Sequence, residues 1–147
     1  MATFNLINDW LENLVENADC DSDQFTVALS NTAPGDETTP PTGDGDGILG
    51  NITEVAYTNC SSRDITTNTS AQTGGTYELN LTDLTLTASG GSVGPFRYVY
   101  IYDDTVATPA DPLVCYYDYG SSITLADGET LDIDFDDTNG LFQLSSS

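Results

Sequence analysis

One serine has the neighbours of a nucleophile. Gly90-Gly91-Ser92-Val93-Gly94 carries the G-x-S-x-G spacing, in which a sharp strand-to-helix turn presents the hydroxyl. That chemistry needs a base to take the serine proton, and the chain contains no histidine. It contains no lysine either, and Arg63 and Arg97 are its only basic residues. A proline and a strand-forming run follow Ser92 where a helix is required. The segment therefore reads as a glycine-rich turn between strands, and no catalytic residue is assigned. Gly45-Asp46-Gly47-Ile48-Leu49-Gly50 matches the G-x-G-x-x-G of dinucleotide sites. A Pro-rich stretch precedes it in place of a strand, and Asp44 and Asp46 would repel a pyrophosphate.

Carboxylates are the reactive group in excess. There are 24 of them against two arginines, for a net charge of -22. Asp44 and Asp46, with Asp36 and Glu37 nearby, offer hard oxygen ligands suited to Ca²⁺. The spacing lacks the closing bidentate Glu of an EF-hand, and Asp103-Asp104 or Asp136-Asp137 could serve as well. Ca²⁺ at Asp44 and Asp46 is the one cofactor candidate. A pair of carboxylates can also hydrolyse a glycoside, but acids are too abundant here for any pair to stand out. A carbohydrate-acting enzyme is thus the most distant of the readings. Phosphate recognition depends on Lys and Arg, so nucleic acid is not an expected partner.

Aromatic residues are grouped. Phe96, Tyr98, Tyr100 and Tyr102 alternate onto one face of a strand, and Tyr116, Tyr117 and Tyr119 lie close in sequence to a second. Such a face is either a core layer between sheets or a binding or subunit interface. Arg97 falls on the opposite face and needs a carboxylate; a structural ion pair with Asp118 is the favoured reading. Arg63, in a polar stretch, carries no signal.

The elements that must position these groups follow from periodicity. Residues 3–17 read as one amphipathic helix, with Phe4, Ile7, Trp10, Leu11, Leu14 and Val15 on one stripe. That much apolar surface should be covered, by the same domain or by a neighbour. Phe4, Ile7, Trp10 and Leu14 are therefore interface candidates together with Phe96, Tyr98, Tyr100 and Tyr102. From Phe25 onward the period is two: Phe25, Val27, Leu29; Tyr77, Leu79, Leu81; Leu84, Leu86; Leu131, Ile133, Phe135. These predict half-buried strands. Residues 96–102 and 113–119 are apolar on both faces and predict central strands. Turns are expected at Gly74-Gly75, 89–95, Asp127-Gly128 and Asn139-Gly140. Residues 31–50 predict a long acidic Gly/Pro loop, and 60–75 a second polar one. The pattern is that of a single mainly-β domain over 1–147, an antiparallel β-sandwich or jelly roll with one N-terminal helix.

Cys20, Cys60 and Cys115 form no disulfide framework or zinc spacing, so free thiols are expected. No membrane span or signal peptide is evident, which points to synthesis in a cytoplasm.

Four strings resemble a family of small tailed-bacteriophage virion proteins. They are Val27-Ala-Leu-Ser-Asn-Thr-Ala-Pro34, Ile52-Thr-Glu54, Ala88-Ser-Gly-Gly-Ser-Val-Gly-Pro-Phe-Arg-Tyr98, and Tyr117-Asp-Tyr-Gly-Ser-Ser-Ile-Thr-Leu-Ala-Asp-Gly-Glu-Thr130. The chain departs from the family at Tyr57-Thr-Asn-Cys-Ser-Ser-Arg63 and in the acidic Gly-Asp run of its first loop. The resemblance implies a compact β-domain without catalytic residues. Its implied role is structural: decorating and stabilising the capsid by binding the outer surface of the major capsid protein, with further copies of the chain as neighbours. It also implies production in a bacterial host's cytoplasm and residence on the capsid exterior. The alternative role is a tail, fibre or receptor-binding module.

Overall fold

The protein is described by a computed structural model covering residues 2–36 and 38–146. Its elements are β1 (Thr3–Leu6), α1 (Asp9–Glu16), β2 (Phe25–Ser30), a 3-10 turn (Leu49–Asn51), β3 (Asp64–Ile65), β4 (Thr67–Thr73), β5 (Thr76–Leu81), β6 (Leu84–Thr87), β7 (Val93–Asp103), β8 (Leu113–Leu125), β9 (Thr130–Ile133) and β10 (Phe142–Ser145). All strand pairs are antiparallel. They form a five-stranded sheet β1-β8-β7-β2-β3, a three-stranded sheet β10-β5-β4 and the ribbon β6-β9. The protein is mainly β, with the layering of a β-sandwich and one helix. A single core joins the sheets, drawing Phe25, Val27 and Leu29 from the first, Leu79 and Leu81 from the second, and Leu86 and Leu131 from the ribbon.

The expected helix over 3–17 is corrected in its first half. Residues Thr3–Leu6 are a strand, with Phe4 opposite Tyr117 and Leu6 opposite Cys115. The long strand β8 would otherwise leave a row of backbone groups unpaired on that edge. Thr3 and Asn5 are poor helix formers, so little opposes the change. The helix begins only at Asp9, after Ile7 has bonded back to Val114 (2.9 Å).

Strand β2 also departs from expectation, because all six of its residues are buried rather than alternate ones. It is flanked by β7 on one side and by β3 on the other. Beyond β3 the chain keeps that edge closed: Val55 donates to the Leu29 carbonyl at 2.9 Å and Val27 to the Arg63 carbonyl at 3.0 Å. The polar positions stay bonded. Ser30 Oγ donates to Thr53 O at 2.6 Å, and the Thr26 hydroxyl reaches Asp64.

The polar stretch 60–75 is not a loop. Its Thr-rich part is β4, an edge strand with mostly exposed side chains that turns through Gly74-Gly75 into β5. Threonine suits such a strand, and an edge with no apolar face leaves no alternation to detect. Residues 31–50 do form a long loop. The Asp9 carboxylate ties it to α1, accepting N–H bonds from Gly45 (3.1 Å) and Gly47 (2.8 Å).

Candidate binding surface

Most of the aromatic residues nominated as an interface belong to the core. Phe96 and Tyr100 are fully buried, and Tyr98 and Tyr102 nearly so. The Tyr100 ring lies 5.7 Å from that of Tyr116 at a tilt of 42°, and its hydroxyl donates to Thr32 O at 2.8 Å. Burial pushes its phenol far above the ordinary value. Ile7 and Trp10 are fully buried as well, with the Trp10 ring edge-on to Phe25 (6.1 Å) and Phe142 (6.3 Å). These six residues offer no surface to a partner. The reason is shared: the later part of β7 is buried on both faces, and Ile7 and Trp10 lie on the inward side of the chain's own N-terminal segment, so the apolar pattern at these positions is core.

The helix presents a different face outward. Trp10, Asn13 and Leu14 point inward at i, i+3, i+4, which leaves Leu11 and Val15 off the stripe by a third of a turn. Val15 is 82% exposed and Leu11 52%. Across from them, Leu144 of β10 is 46% exposed and Phe4 of β1 40%. Two depressions flank β10. One, about 340 Å³, is lined by Leu14, Val15, Tyr77 and Leu144. The other, about 450 Å³, is lined by Phe4, Tyr117, Leu141 and Phe142, with Asp134 and Asp136 on its rim. Three of the large apolar side chains left in water border these depressions, Val15 and Leu144 the first and Phe4 the second. Of the nominated residues, only Phe4 and the half-buried Leu14 belong to this surface. Leu144 had no sequence signal beyond its place in a short closing strand.

Both arginines are engaged within the chain. Arg97 forks onto Asp118, with Nε to Oδ1 at 2.8 Å and Nη2 to Oδ2 at 3.0 Å. The Gly120 N–H adds a third bond to that carboxylate (2.7 Å), and Arg97 with Gly120 holds the Asp118 carboxyl below its usual range. Arg63 is more informative than its polar surroundings suggested. Its guanidinium lies 3.8 Å over the Tyr57 ring, donates to Val27 O and reaches Glu54 at 3.4 Å. Tyr57 completes the clamp, donating to Glu54 (2.7 Å) and accepting the Leu29 N–H (2.8 Å).

The motif matches fall where sequence reasoning left them. Ser92 is exposed in the turn between β6 and β7, and its carbonyl accepts from the Asn59 side chain at 3.3 Å. At Gly45 and Gly47, the backbone N–H groups that a phosphate would use are already bonded to Asp9. Asp44 is exposed and Asp46 half-exposed, and Glu37 lies outside the described residues. Asp36 spends an oxygen on Thr38 and Thr39, which lowers its pKa. Among the described residues no three Asp, Glu, His or Cys side chains converge as a ligand set, at Asp44 and Asp46 or elsewhere.

Among these residues no helix is long and apolar enough to cross a membrane. Comparison with protein-family models, with curated proteins and with solved structures returns no match.

Proposed function

We propose that this chain is a structural component of a tailed-phage particle that decorates the outside of the capsid and stabilises it by binding the major capsid protein. The observation that carries the reading is exposed apolar side chains on both flanks of β10, Val15 with Leu144 at one depression and Phe4 at the other, on a protein otherwise strongly acidic. An apolar patch among charges is the usual make-up of a protein-binding surface. The resemblance of four strings to phage virion proteins supplies the setting. The charge argues for the outer side, because packaged DNA repels a protein of net charge -22. A protein that binds only the mature shell stabilises that shell by mass action. The proposal needs no catalytic residue and no cofactor.

The test is a particle assembled with and without the chain. Decoration predicts hundreds of copies per particle and a lower disruption temperature without them. Val15→Asp combined with Leu144→Asp should abolish binding to the shell while the free protein keeps its fold. A few copies confined to the tail would reject decoration and favour a tail or fibre role.

A further inference from the structure

The end of β7 holds a carboxylate in an unusual position. Asp103 is fully buried and stands opposite Phe25 in the β2-β7 register. Its Oδ1 accepts N–H bonds from Thr105 (3.0 Å) and Val106 (3.3 Å). Its Oδ2 is shielded from solvent and has no hydrogen-bond partner. Burial raises the Asp103 carboxyl above its usual range, and a second carboxylate, that of Asp23, is near enough to raise it further, by a hydrogen bond when one of the two is protonated and by its charge.

This juxtaposition is built by the backbone. Residues 19–23 form a tight turn, in which Asp23 N donates to Asp19 O at 2.8 Å and Asp23 Oδ2 accepts from Asp19 N at 2.7 Å. The next residue clips the turn to the end of β7. Gln24 O accepts from Asp104 N at 2.8 Å, and Gln24 N donates to Thr105 Oγ1 at 2.8 Å. Asp19 and Asp21, exposed on the same turn, add to the negative potential. Both arginines are committed elsewhere, to Asp118 and to Glu54. Two ionised carboxylates have no proton to share, and a buried charge is avoided by taking up a proton or is tolerated when paired or coordinated to a metal.

We propose that Asp23 and Asp103 together bind a hard divalent cation, Ca²⁺ or Mg²⁺, through the unpartnered Asp103 Oδ2. Oxygen donors suit these ions, and a site of one or two carboxylates completed by water is common for Mg²⁺. No third acid converges on the pair among the described residues, so water would supply the remaining ligands. The ion would lock the turn at 19–23 to the β2-β7 pair, a role independent of which partner the protein binds.

The experiment is a thermal melt of the EDTA-treated protein, titrated with CaCl₂ and MgCl₂ against NaCl of matched ionic strength. The expected result is a saturable gain of about 5–10 °C at a hundredfold excess over Kd, which NaCl does not reproduce. Asp103→Asn and Asp23→Asn should each remove the saturable gain, and Asp44→Asn should keep it. Tb³⁺ luminescence excited through the aromatic residues gives a second readout and should follow the same pattern. Cation responses that merely track ionic strength, or that survive in both variants, would overturn the proposal. So would variants that raise the melting temperature of the metal-free protein when the parent shows no cation response, since the pair would then share a proton.

Discussion

Tyr100 shows what the buried aromatic layer does for the protein. Its ring fills the core and its hydroxyl meets the Thr32 carbonyl, so one side chain ties β7 to the start of the long loop. Tyr100→Phe keeps the packing and loses the bond, and should cost about 1–2 kcal/mol by denaturant unfolding. Trp10→Ala should cost more, about 3–5 kcal/mol, because it empties a fully buried site. The Arg97-Asp118 pair predicts a pH dependence. The folded state holds the Asp118 carboxyl below its ordinary value, so the pair's contribution is complete above about pH 5 and fades as pH falls through that lowered value. Melting temperatures of the parent and of Asp118→Asn should therefore differ near neutrality and converge on acidification. Unlike the half-buried Cys60, the thiols of Cys20 and Cys115 are predicted to be inert in the native state: burial raises Cys20 to about 11 and Cys115 higher still. A thiol reagent should reach them only on unfolding. At this scale the sequence was legible where one partner sufficed, as for Arg97 with its neighbouring strand. It was not legible for Phe96, Tyr98, Tyr100 and Tyr102. Alternation tells which residues share a face, not whether the chain itself or a partner covers that face.

Among the elements, α1 and β10 matter most for the proposed role, and the two differ in legibility. The helix was evident from the spacing of Ile7, Trp10 and Leu14, yet Phe4 fitted the same stripe and lies in a strand. What decided its conformation was the open edge of β8, more than a hundred residues away in sequence. Strand β10 is held to β5 through a turn that only glycine fits. Gly140 has φ +69°, and a Cβ there would stand 2.6 Å from the Leu79 carbonyl oxygen. Gly140→Ala should destabilise by roughly 1–3 kcal/mol. It should also loosen β10, which is measurable as faster amide exchange in β10 than in β7. By contrast, Val15→Asp and Leu144→Asp should shift stability by no more than about 0.5 kcal/mol, as exposed substitutions do. Their effect should appear in binding to the shell.

The whole molecule is governed by its charge. Twenty-four acids and two arginines repel one another across a small domain. Raising NaCl from roughly 0.01 M to 1 M shortens the Debye length from about 30 Å to about 3 Å. The melting temperature should rise over that range, and a flat response would mean that the surface charge costs the fold little. The fold class was legible at this scale because strand periods and turn residues repeat along most of the chain. The function was less so. Acidity argues against nucleic acid but fits many proteins, and the exposed apolar residues that narrow the choice come from β1, α1 and β10, which no single stretch of sequence displays.

The placement of the two arginines also decides how the protein meets a protease. Trypsin cuts after Lys or Arg, which here leaves the Arg63-Asp64 and Arg97-Tyr98 bonds. The first is clamped at the entrance to β3, and the second lies within β7 next to Tyr98, which pairs with Ser30 of β2 and Asp118 of β8. Neither is in a fraying end or an exposed loop, where nicking usually begins. Cleavage should therefore require the five-stranded sheet to open. The rate of tryptic digestion should then report the population of the globally unfolded state rather than local motion. The molecule would behave as an all-or-none substrate, passing from intact chain to small fragments without a stable nicked form.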